Sequence, residues 1–146
     1  REIFLSLKKS AKFGIGIIDA ATIDKINILQ ATKLAMLNSF IDLQKKYKIF
    51  PQVVLIDGNF VPFEKQDKIC AMQSIIKGDQ KSLSIAAASI IAKVHRDQLM
   101  ARLGEKYEHY FWHKNAGYGT KVHREAILNY GKTSLHRDLY LRKLYV

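Results

Sequence analysis

Four consecutive apolar residues that end in a carboxylate constrain the fold of this chain more than any other feature. Val53–Ile56 are followed by Asp57 and then by Gly58 and Asn59. An apolar run that does not alternate with polar residues is typical of a parallel sheet with helices covering both faces. In open α/β sheets, ligands bind outside the carboxyl ends of the strands. The stretch therefore predicts a buried strand over residues 52–58 that carries an acid to a ligand-binding edge.

The acid at the end of this run also has a simpler interpretation. Asp57, Gly58 and Asn59 together are favourable turn chemistry, and a turn alone would account for the carboxylate. An acid at the end of a buried strand is nevertheless costly unless it is paired or bound to a metal. A second acid placed for the same purpose would favour the functional interpretation.

The rest of the chain predicts helices and strands in alternation. Helices are expected over residues 1–10, 22–47, 83–106 and 121–130, strands over 13–19, 52–58 and 71–78, and an aromatic-rich loop over 107–120. Thr22 is expected to cap the second helix, with Asp24 in its first turn. Thr120 and Gly131 are expected to bound the last helix. The pattern predicts the α/β class and one domain spanning residues 1–146.

The charge of the chain indicates the class of its partner. Lysine and arginine number 24 against 13 aspartate and glutamate residues, which gives a net charge of +11 over 146 residues. Clustered cations bind polyanions through counterion release, so this excess predicts a nucleic-acid partner. The alternative is a solvated basic surface without a partner. Within so basic a protein, a carboxylate at a strand end is an informative exception.

Composition predicts a globular cytoplasmic protein. The longest apolar run, residues 83–92, is half of the ~20 residues that a membrane span needs, so no membrane association is expected. The opening residues 1–12 lack the apolar stretch and cleavage site of a signal peptide. The single cysteine, Cys70, excludes an internal disulfide and is expected to be a small, buried or half-buried side chain.

A second acid lies in the long helix, on the stripe that begins in its apolar part. Ala86, Ile90, Lys93 and Asp97 follow one another at helical spacing, in a segment that is apolar nearly all round and therefore predicted to be buried. One interpretation is a local pair at the exposed end of the helix. The other is a carboxylate that binds magnesium or manganese beside a lysine that binds a phosphate. Two such ions can hydrolyse a phosphodiester, but two acids are too few to hold both.

Six segments together resemble bacterial ribonuclease HII. In order they are "INILQAT" (26–32), "LIDGN" (55–59), "IIKGD" (75–79), "SIAAASIIAKVHRD" (84–97), "NAGYGTKVH" (115–123) and "TSLHR" (133–137). The resemblance implies a ribonuclease-H-like fold, a mixed sheet with flanking helices, whose four active-site carboxylates bind two Mn²⁺ or Mg²⁺ ions. It implies a monomeric endoribonuclease that hydrolyses the RNA strand of RNA–DNA hybrids. Such an enzyme also nicks duplex DNA at embedded ribonucleotides.

The resemblance also assigns roles to individual residues. Asp57 and Asp97 match the third and fourth family acids, which are catalytic metal ligands. Tyr118, preceded by Gly117, matches a tyrosine that packs against the sugar at the RNA–DNA junction, where the 2′-hydroxyl distinguishes RNA from DNA. Four cations are candidate phosphate contacts, with a plain solvated charge as the alternative for each: Lys77, Lys93, Arg96 and Arg137. The other aromatic side chains of the loop are expected in the core: Tyr107, Tyr110, Phe111 and Trp112.

The pattern departs from the family at its amino-terminal end. The first two family acids lie in a "DEAGRG"-type motif that this sequence does not contain, and the chain opens at "REIFLSLKK". We therefore expect the amino-terminal strands to be missing from this chain, and Asp57 to be half of a metal site. On this expectation the 146 residues alone are inactive or weakly active. The alternative is a truncated, non-catalytic nucleic-acid-binding remnant.

Overall fold

The computed structural model describes residues 2–62, 71–142 and 144. Its helices are α1 (Glu2–Ser10), α2 (Ala20–Tyr47), α3 (Leu83–Lys106), α4 (Trp112–Asn115), α5 (Lys121–Tyr130) and α6 (Asp138–Leu141), and its strands are β1 (Val53–Asp57) and β2 (Ala71–Ile75). Short 3-10 turns span Gly78–Gln80 and Glu108–Tyr110. Cys70 lies outside the described residues, so its predicted burial stays a prediction. Across the described part of the chain, no helix is long and apolar enough to cross a membrane.

The chain divides into two compact units. The first unit comprises Arg1–Ile18 and Ile26–Ala92, and the second comprises Asp19–Lys25 and Lys93–Val146. Within α2 the backbone is non-helical at Asn27, with φ 66° and ψ 166°, close to the boundary between the units. The single domain predicted over residues 1–146 stays a prediction.

A two-stranded parallel sheet lies in the first unit. β1 pairs with β2 in a register that places Val53 opposite Ala71 and Asp57 opposite Ile75. The prediction that this strand lies in a parallel sheet is therefore confirmed, but the predicted burial of the whole apolar run is wrong. Ile56 is buried, whereas Val53 is 51% exposed. Within the described residues β1 has one neighbouring strand, which shields the run only in part.

Two glycines hold the segment before α2 against that helix instead of forming a strand. Residues 11–19 have no regular secondary structure, so the strand predicted over 13–19 is wrong. A Cβ on Gly16 would overlap the Ala35 carbonyl oxygen and lie 2.8 Å from the Ser39 amide nitrogen. Gly14 makes a similarly close approach to the same helix. The glycines therefore serve backbone-to-backbone packing, which a larger side chain would prevent.

The start of α2 differs from the prediction, because the capping acid comes earlier in the chain. Asp19 accepts a hydrogen bond from the Thr22 backbone N–H at 2.7 Å. Hydrogen bonding with the Thr22 side chain, and then with this backbone N–H, holds the pKa of Asp19 below its ordinary value. Thr22 is thus inside the helix and is not its cap. Asp24 lies beyond the first turn and accepts hydrogen bonds from the backbone N–H groups of Asp138 and Leu139. It therefore caps α6, a helix that the sequence did not predict.

Aromatic residues form the core of the second unit. Its buried cluster consists of Tyr110, Trp112, Ala126, Ile127 and Leu141, with Tyr107 packed against it. The predicted core positions are confirmed for these three aromatic residues. Phe111 is 38% exposed, so its predicted burial is wrong. It has a left-handed φ of 54° at the junction between the 3-10 turn and α4.

The boundaries of α5 follow the prediction. Thr120 Oγ1 accepts a hydrogen bond from the His123 backbone N–H at 3.3 Å. Gly131 has a φ of 79° and its N–H donates to the Ile127 carbonyl. The cap fixes α5 directly behind the loop that contains Tyr118.

Two buried histidines are hydrogen-bonded to each other beside this core. His123 and His136 are 5% and 8% exposed, and their Nε2 atoms are 3.2 Å apart. Trp112 Nε1 also donates to His123 Nε2 at 3.0 Å. Burial lowers the pKa of His136, and the neighbouring His123 lowers it further. Burial therefore favours the neutral form of His136.

We predict that Gly16→Ala destabilises the protein by about 1–3 kcal/mol, the usual cost of an overpacked contact. The added methyl would meet the backbone of α2, which cannot give way as a flexible side chain does. The measurement is the free energy of unfolding in urea. Gly119→Ala is the matched control, because nothing lies within 4 Å of a Cβ at that position. Equal losses in the two variants would contradict the packing role.

We predict that the protein loses stability as pH falls from about 7.5 towards 5. Above the ordinary histidine pKa of 6.5, His136 is neutral in both the folded and the unfolded chain. Below it the unfolded chain takes up the proton first, because the pKa of the folded state is lowered. Unfolding in urea at several pH values measures this loss. His136→Asn is expected to flatten the profile, and an identical profile would disprove the assignment.

Candidate functional site

Asp57 is held at the end of β1 by the turn that follows β2. Its Oδ1 accepts a hydrogen bond from the backbone N–H of Gly78 at 2.8 Å. A Cβ on Gly78 would lie 2.6 Å from Ile85 Cδ1 and 3.3 Å from Asp57 Oδ1. A larger residue at the buried position 78 would displace the Ile85 side chain and crowd the carboxylate, so glycine favours this close approach. The exposed Asp57 is thus oriented by a backbone amide from the turn after β2. The two residues are 21 positions apart, so this hydrogen bond does not belong to the turn at Asp57–Asn59.

The chain turns away from the sheet immediately after this acid. Gly58 has a φ of 127°, and its N–H donates to the Ile75 carbonyl at 3.1 Å. Lys77 precedes Gly78 in a left-handed conformation, with φ 55° and ψ 47°, and is exposed. The predicted turn chemistry and the predicted cation therefore lie at the carboxyl end of the sheet, beside Asp57.

Asp97 forms the local ion pair that the sequence left open as one interpretation. Lys93 Nζ lies 3.1 Å from Asp97 Oδ2, and the two side chains are 76% and 48% exposed. The predicted burial of α3 is wrong over much of its length, and Leu83 is 88% exposed. An exposed pair of this kind contributes only a few tenths of a kcal/mol. It therefore leaves the carboxylate accessible to a stronger partner.

Asp57 and Asp97, considered separately, each have the donor chemistry that a hard divalent cation prefers. Carboxylate oxygens are the ligands that Mg²⁺ and Mn²⁺ prefer, and both Asp57 and Asp97 are exposed. Asp57 belongs to the first unit and Asp97 to the second. Over residues 2–62, 71–142 and 144, no group of three or more His, Cys, Asp or Glu side chains could hold a metal ion. Each acid can thus supply one ligand.

Tyr118 projects from a loop whose backbone is fixed at several points. Tyr118 is 68% exposed. Its N–H donates to the Asn115 carbonyl at 2.8 Å, and the Gly117 N–H donates to Asn115 Oδ1 at 2.9 Å. Asn115 is itself buried and donates through Nδ2 to the Tyr110 carbonyl at 2.7 Å. The loop therefore presents an exposed aromatic side chain on a rigid base.

Arg96 joins this loop to α3. Its Nη2 donates to the Ala116 carbonyl at 3.2 Å, and a Cβ on Gly117 would lie 3.7 Å from the same nitrogen. Gly117 also has a φ of 80°, and a Cβ at this position would lie 3.1 Å from Met100 Cε. The structure thus brings together three predicted substrate-binding residues: Arg96, Gly117 and Tyr118.

Arg137 is engaged with a different group. Its guanidinium lies 4.0 Å from the centroid of the Tyr140 ring, in a cation–π contact. The residue is half-buried and follows the buried His136 directly. Its predicted contact with a phosphate stays a prediction.

Three residues that position the site were not predicted from the sequence. Gly78 lies in the segment "IIKGD" (75–79), and a glycine that follows a predicted strand is a signal for a tight turn. Asn115 precedes "AGYG", and asparagine before glycine-rich sequence commonly hydrogen-bonds its own backbone. His123 gave no signal beyond its spacing from Thr120, because its partners come from other elements.

Comparison with known proteins identifies the family. The family profile described as Ribonuclease HII matches residues 3–143. A protein named Ribonuclease HII from Rickettsia bellii (strain OSU 85-389) is 50% identical over 130 residues, which cover 89% of this chain and 62% of the relative. The Ribonuclease HII of Bacillus subtilis (strain 168) is 45% identical over 136 residues, covering 93% of this chain and 50% of the relative.

A third relative gives the same result. The Ribonuclease HII of the Wolbachia strain from Brugia malayi is 51% identical over 130 residues, covering 89% of this chain and 60% of the relative. The chain thus spans about three fifths of the length of these first curated relatives. Because the family profile extends over nearly all of its residues, the chain belongs to the ribonuclease HII family.

Proposed function

We propose that the protein is an endoribonuclease that acts on RNA paired with DNA. Its substrates are the RNA strand of RNA–DNA hybrids and duplex DNA that contains embedded ribonucleotides. The carrying observation is Tyr118, an exposed ring on a fixed backbone beside Arg96. A flat ring next to a sugar suits the detection of a 2′-hydroxyl, and a neighbouring guanidinium suits a phosphate. The net charge of +11 supports a polyanionic substrate.

Asp57 and Asp97 are the proposed ligands of divalent metal ions, Mn²⁺ or Mg²⁺. When bound, such ions activate water and neutralise charge on a phosphodiester. The chain's own contribution at Asp57 is orientation, because the Gly78 amide holds one carboxylate oxygen. At Asp97 the Lys93 ammonium holds one carboxylate oxygen at 3.1 Å, in an exposed pair on the surface of α3. Gly117 and Tyr118 are proposed to contact the ribonucleotide.

Four cations are the proposed phosphate contacts: Lys77, Lys93, Arg96 and Arg137. We propose that the protein is a monomer, as most members of the family are. Bacterial DNA lies in the cytoplasm, which is therefore the proposed location of the activity.

We predict that Asp57→Asn and Asp97→Asn each abolish metal-dependent nicking. The substrate is a DNA duplex with one embedded ribonucleotide, supplied with Mn²⁺ or Mg²⁺. Neutral amides are poor ligands for these ions, so each change removes a metal ligand while preserving shape. Glu125→Gln is the matched control, because Glu125 also pairs with a lysine at i,i+4, with Lys121 3.8 Å away.

The same assay separates the enzyme from a non-catalytic remnant. Nicking that disappears in both acid variants and persists in Glu125→Gln supports catalysis by this chain. Binding of the ribonucleotide duplex without nicking would favour the remnant, and would agree with the expectation that the 146 residues alone are inactive. Equal binding of ribonucleotide-containing and all-DNA duplexes, without nicking, would contradict the proposed function.

We predict that Lys77→Gln lowers the salt dependence of duplex binding by about 0.9 in the slope of log affinity against log salt, the value for one lost phosphate contact. Lys77 is exposed at the edge that carries Asp57. Fluorescence anisotropy at several salt concentrations gives the slope. Lys46→Gln is the control, since Lys46 pairs with Asp42 on α2. An unchanged slope for Lys77→Gln would make this lysine a solvated charge.

A further inference from the structure

A chain of hydrogen bonds runs from Thr133 through two buried imidazoles to the backbone of Tyr118. Thr133 N–H donates to His136 Nδ1 at 2.9 Å. His136 Nε2 lies 3.2 Å from His123 Nε2, and His123 Nδ1 lies 2.9 Å from the Tyr118 carbonyl oxygen. All four residues belong to the second unit. These hydrogen bonds therefore connect the core of that unit to an exposed aromatic residue of its loop.

The partners determine which nitrogen of each imidazole carries the proton. His136 Nδ1 accepts from a backbone N–H, so in the neutral ring the proton is on Nε2. That proton points to His123 Nε2, which also accepts the Trp112 Nε1–H at 3.0 Å. His123 must then carry its own proton on Nδ1. The Trp112 and His136 N–H groups thus share the single lone pair of His123 Nε2, and the remaining donor, His123 Nδ1–H, is directed at Tyr118.

The Tyr118 carbonyl accepts two hydrogen bonds as a result. One comes from His123 Nδ1, and the other from the Thr120 backbone N–H at 2.8 Å. On its other side, the Tyr118 N–H is held by the Asn115 carbonyl. Both polar groups of this residue's backbone are therefore fixed, although its ring is 68% exposed. An exposed side chain on a clamped backbone loses less entropy when it binds.

We propose that His123 is a positioning residue for Tyr118, and that the Trp112 Nε1–H, which can only donate, sets the tautomer in which His123 can perform this role. The inference rests on the proposed function for its consequence, which is recognition of a ribonucleotide by the Tyr118 ring. The positioning itself is a property of the free protein. The lowered pKa of His136 agrees with its acceptance of the Thr133 N–H at Nδ1, which requires an unprotonated nitrogen there.

Two substitutions at His123 separate positioning from core packing. The side-chain amide of asparagine reaches the place of Nδ1, so His123→Asn can still donate to the Tyr118 carbonyl but loses the contacts to Trp112 and His136. The amide of glutamine reaches the place of Nε2, so His123→Gln keeps those core contacts and loses Tyr118. A purely structural histidine would tolerate glutamine better than asparagine in every measurement. A positioning histidine would reverse this order in the measurements that depend on the loop.

The first readout is hydrogen exchange of the amides in residues 116–120, measured without nucleic acid. His123→Gln is expected to increase exchange at Thr120 about fivefold, the effect of one lost hydrogen bond. His123→Asn is expected to stay near the parent rate, after correction for its global stability. Parent-like exchange in His123→Gln would overturn the proposal, whatever the protein binds.

The second readout is the preference for a duplex with one embedded ribonucleotide over the same all-DNA duplex, measured by anisotropy with Ca²⁺. His123→Gln is expected to lower this preference about fivefold and His123→Asn to retain it. In a Tyr118→Ala background, His123→Gln should have no further effect, because the histidine acts through that residue. An additive loss would overturn the proposal. A parent protein without any preference would instead refute the proposed function, and the exchange measurement would still decide the positioning role.

Discussion

The buried imidazole of His123 is the interaction on which the second unit depends. It accepts from Trp112, meets His136 and reaches the Tyr118 carbonyl, so three separate segments are joined through one ring. A buried polar group without a partner costs far more than a made hydrogen bond contributes. Throughout the described residues, no buried side-chain nitrogen or oxygen lacks a partner. The core and the loop are therefore specified by the same polar network, and disturbing one member disturbs the others.

The first unit relies on backbone contacts instead. Gly16 brings the irregular segment of residues 11–19 against α2, and Gly78 brings a turn against the Asp57 carboxylate. In both places the missing side chain creates the contact. The acid is held by an amide and not by a neighbouring cation, which keeps its charge available to a ligand. This arrangement suits the family's ribonuclease-H-like fold, in which the end of a strand carries chemistry.

Several predictions succeeded because they rest on local chemistry. The spacing of apolar residues predicted α3 at residues 83–106 correctly. Thr120 as the cap and Gly131 as the closing residue predicted the bounds of α5 correctly. The strand ending in Asp57 was visible from its apolar run. Predictions that rest on surroundings failed more often, because burial depends on which elements cover a surface. Val53 and Leu83 are apolar yet well exposed, and Asp24 caps a helix 114 residues away.

The sequence by itself determined the family, the α/β class, the acid at the strand end and the aromatic residue at the loop, since motif and periodicity are properties of the chain alone. Tertiary structure decided how those residues are held. The Gly78 amide on Asp57, the Arg96 contact with Ala116 and the path from His136 to Tyr118 join positions many residues apart. Hydrogen bonds depend on direction and distance to a few tenths of an ångström. Only the folded chain sets that geometry, because no local pattern encodes which distant groups will meet.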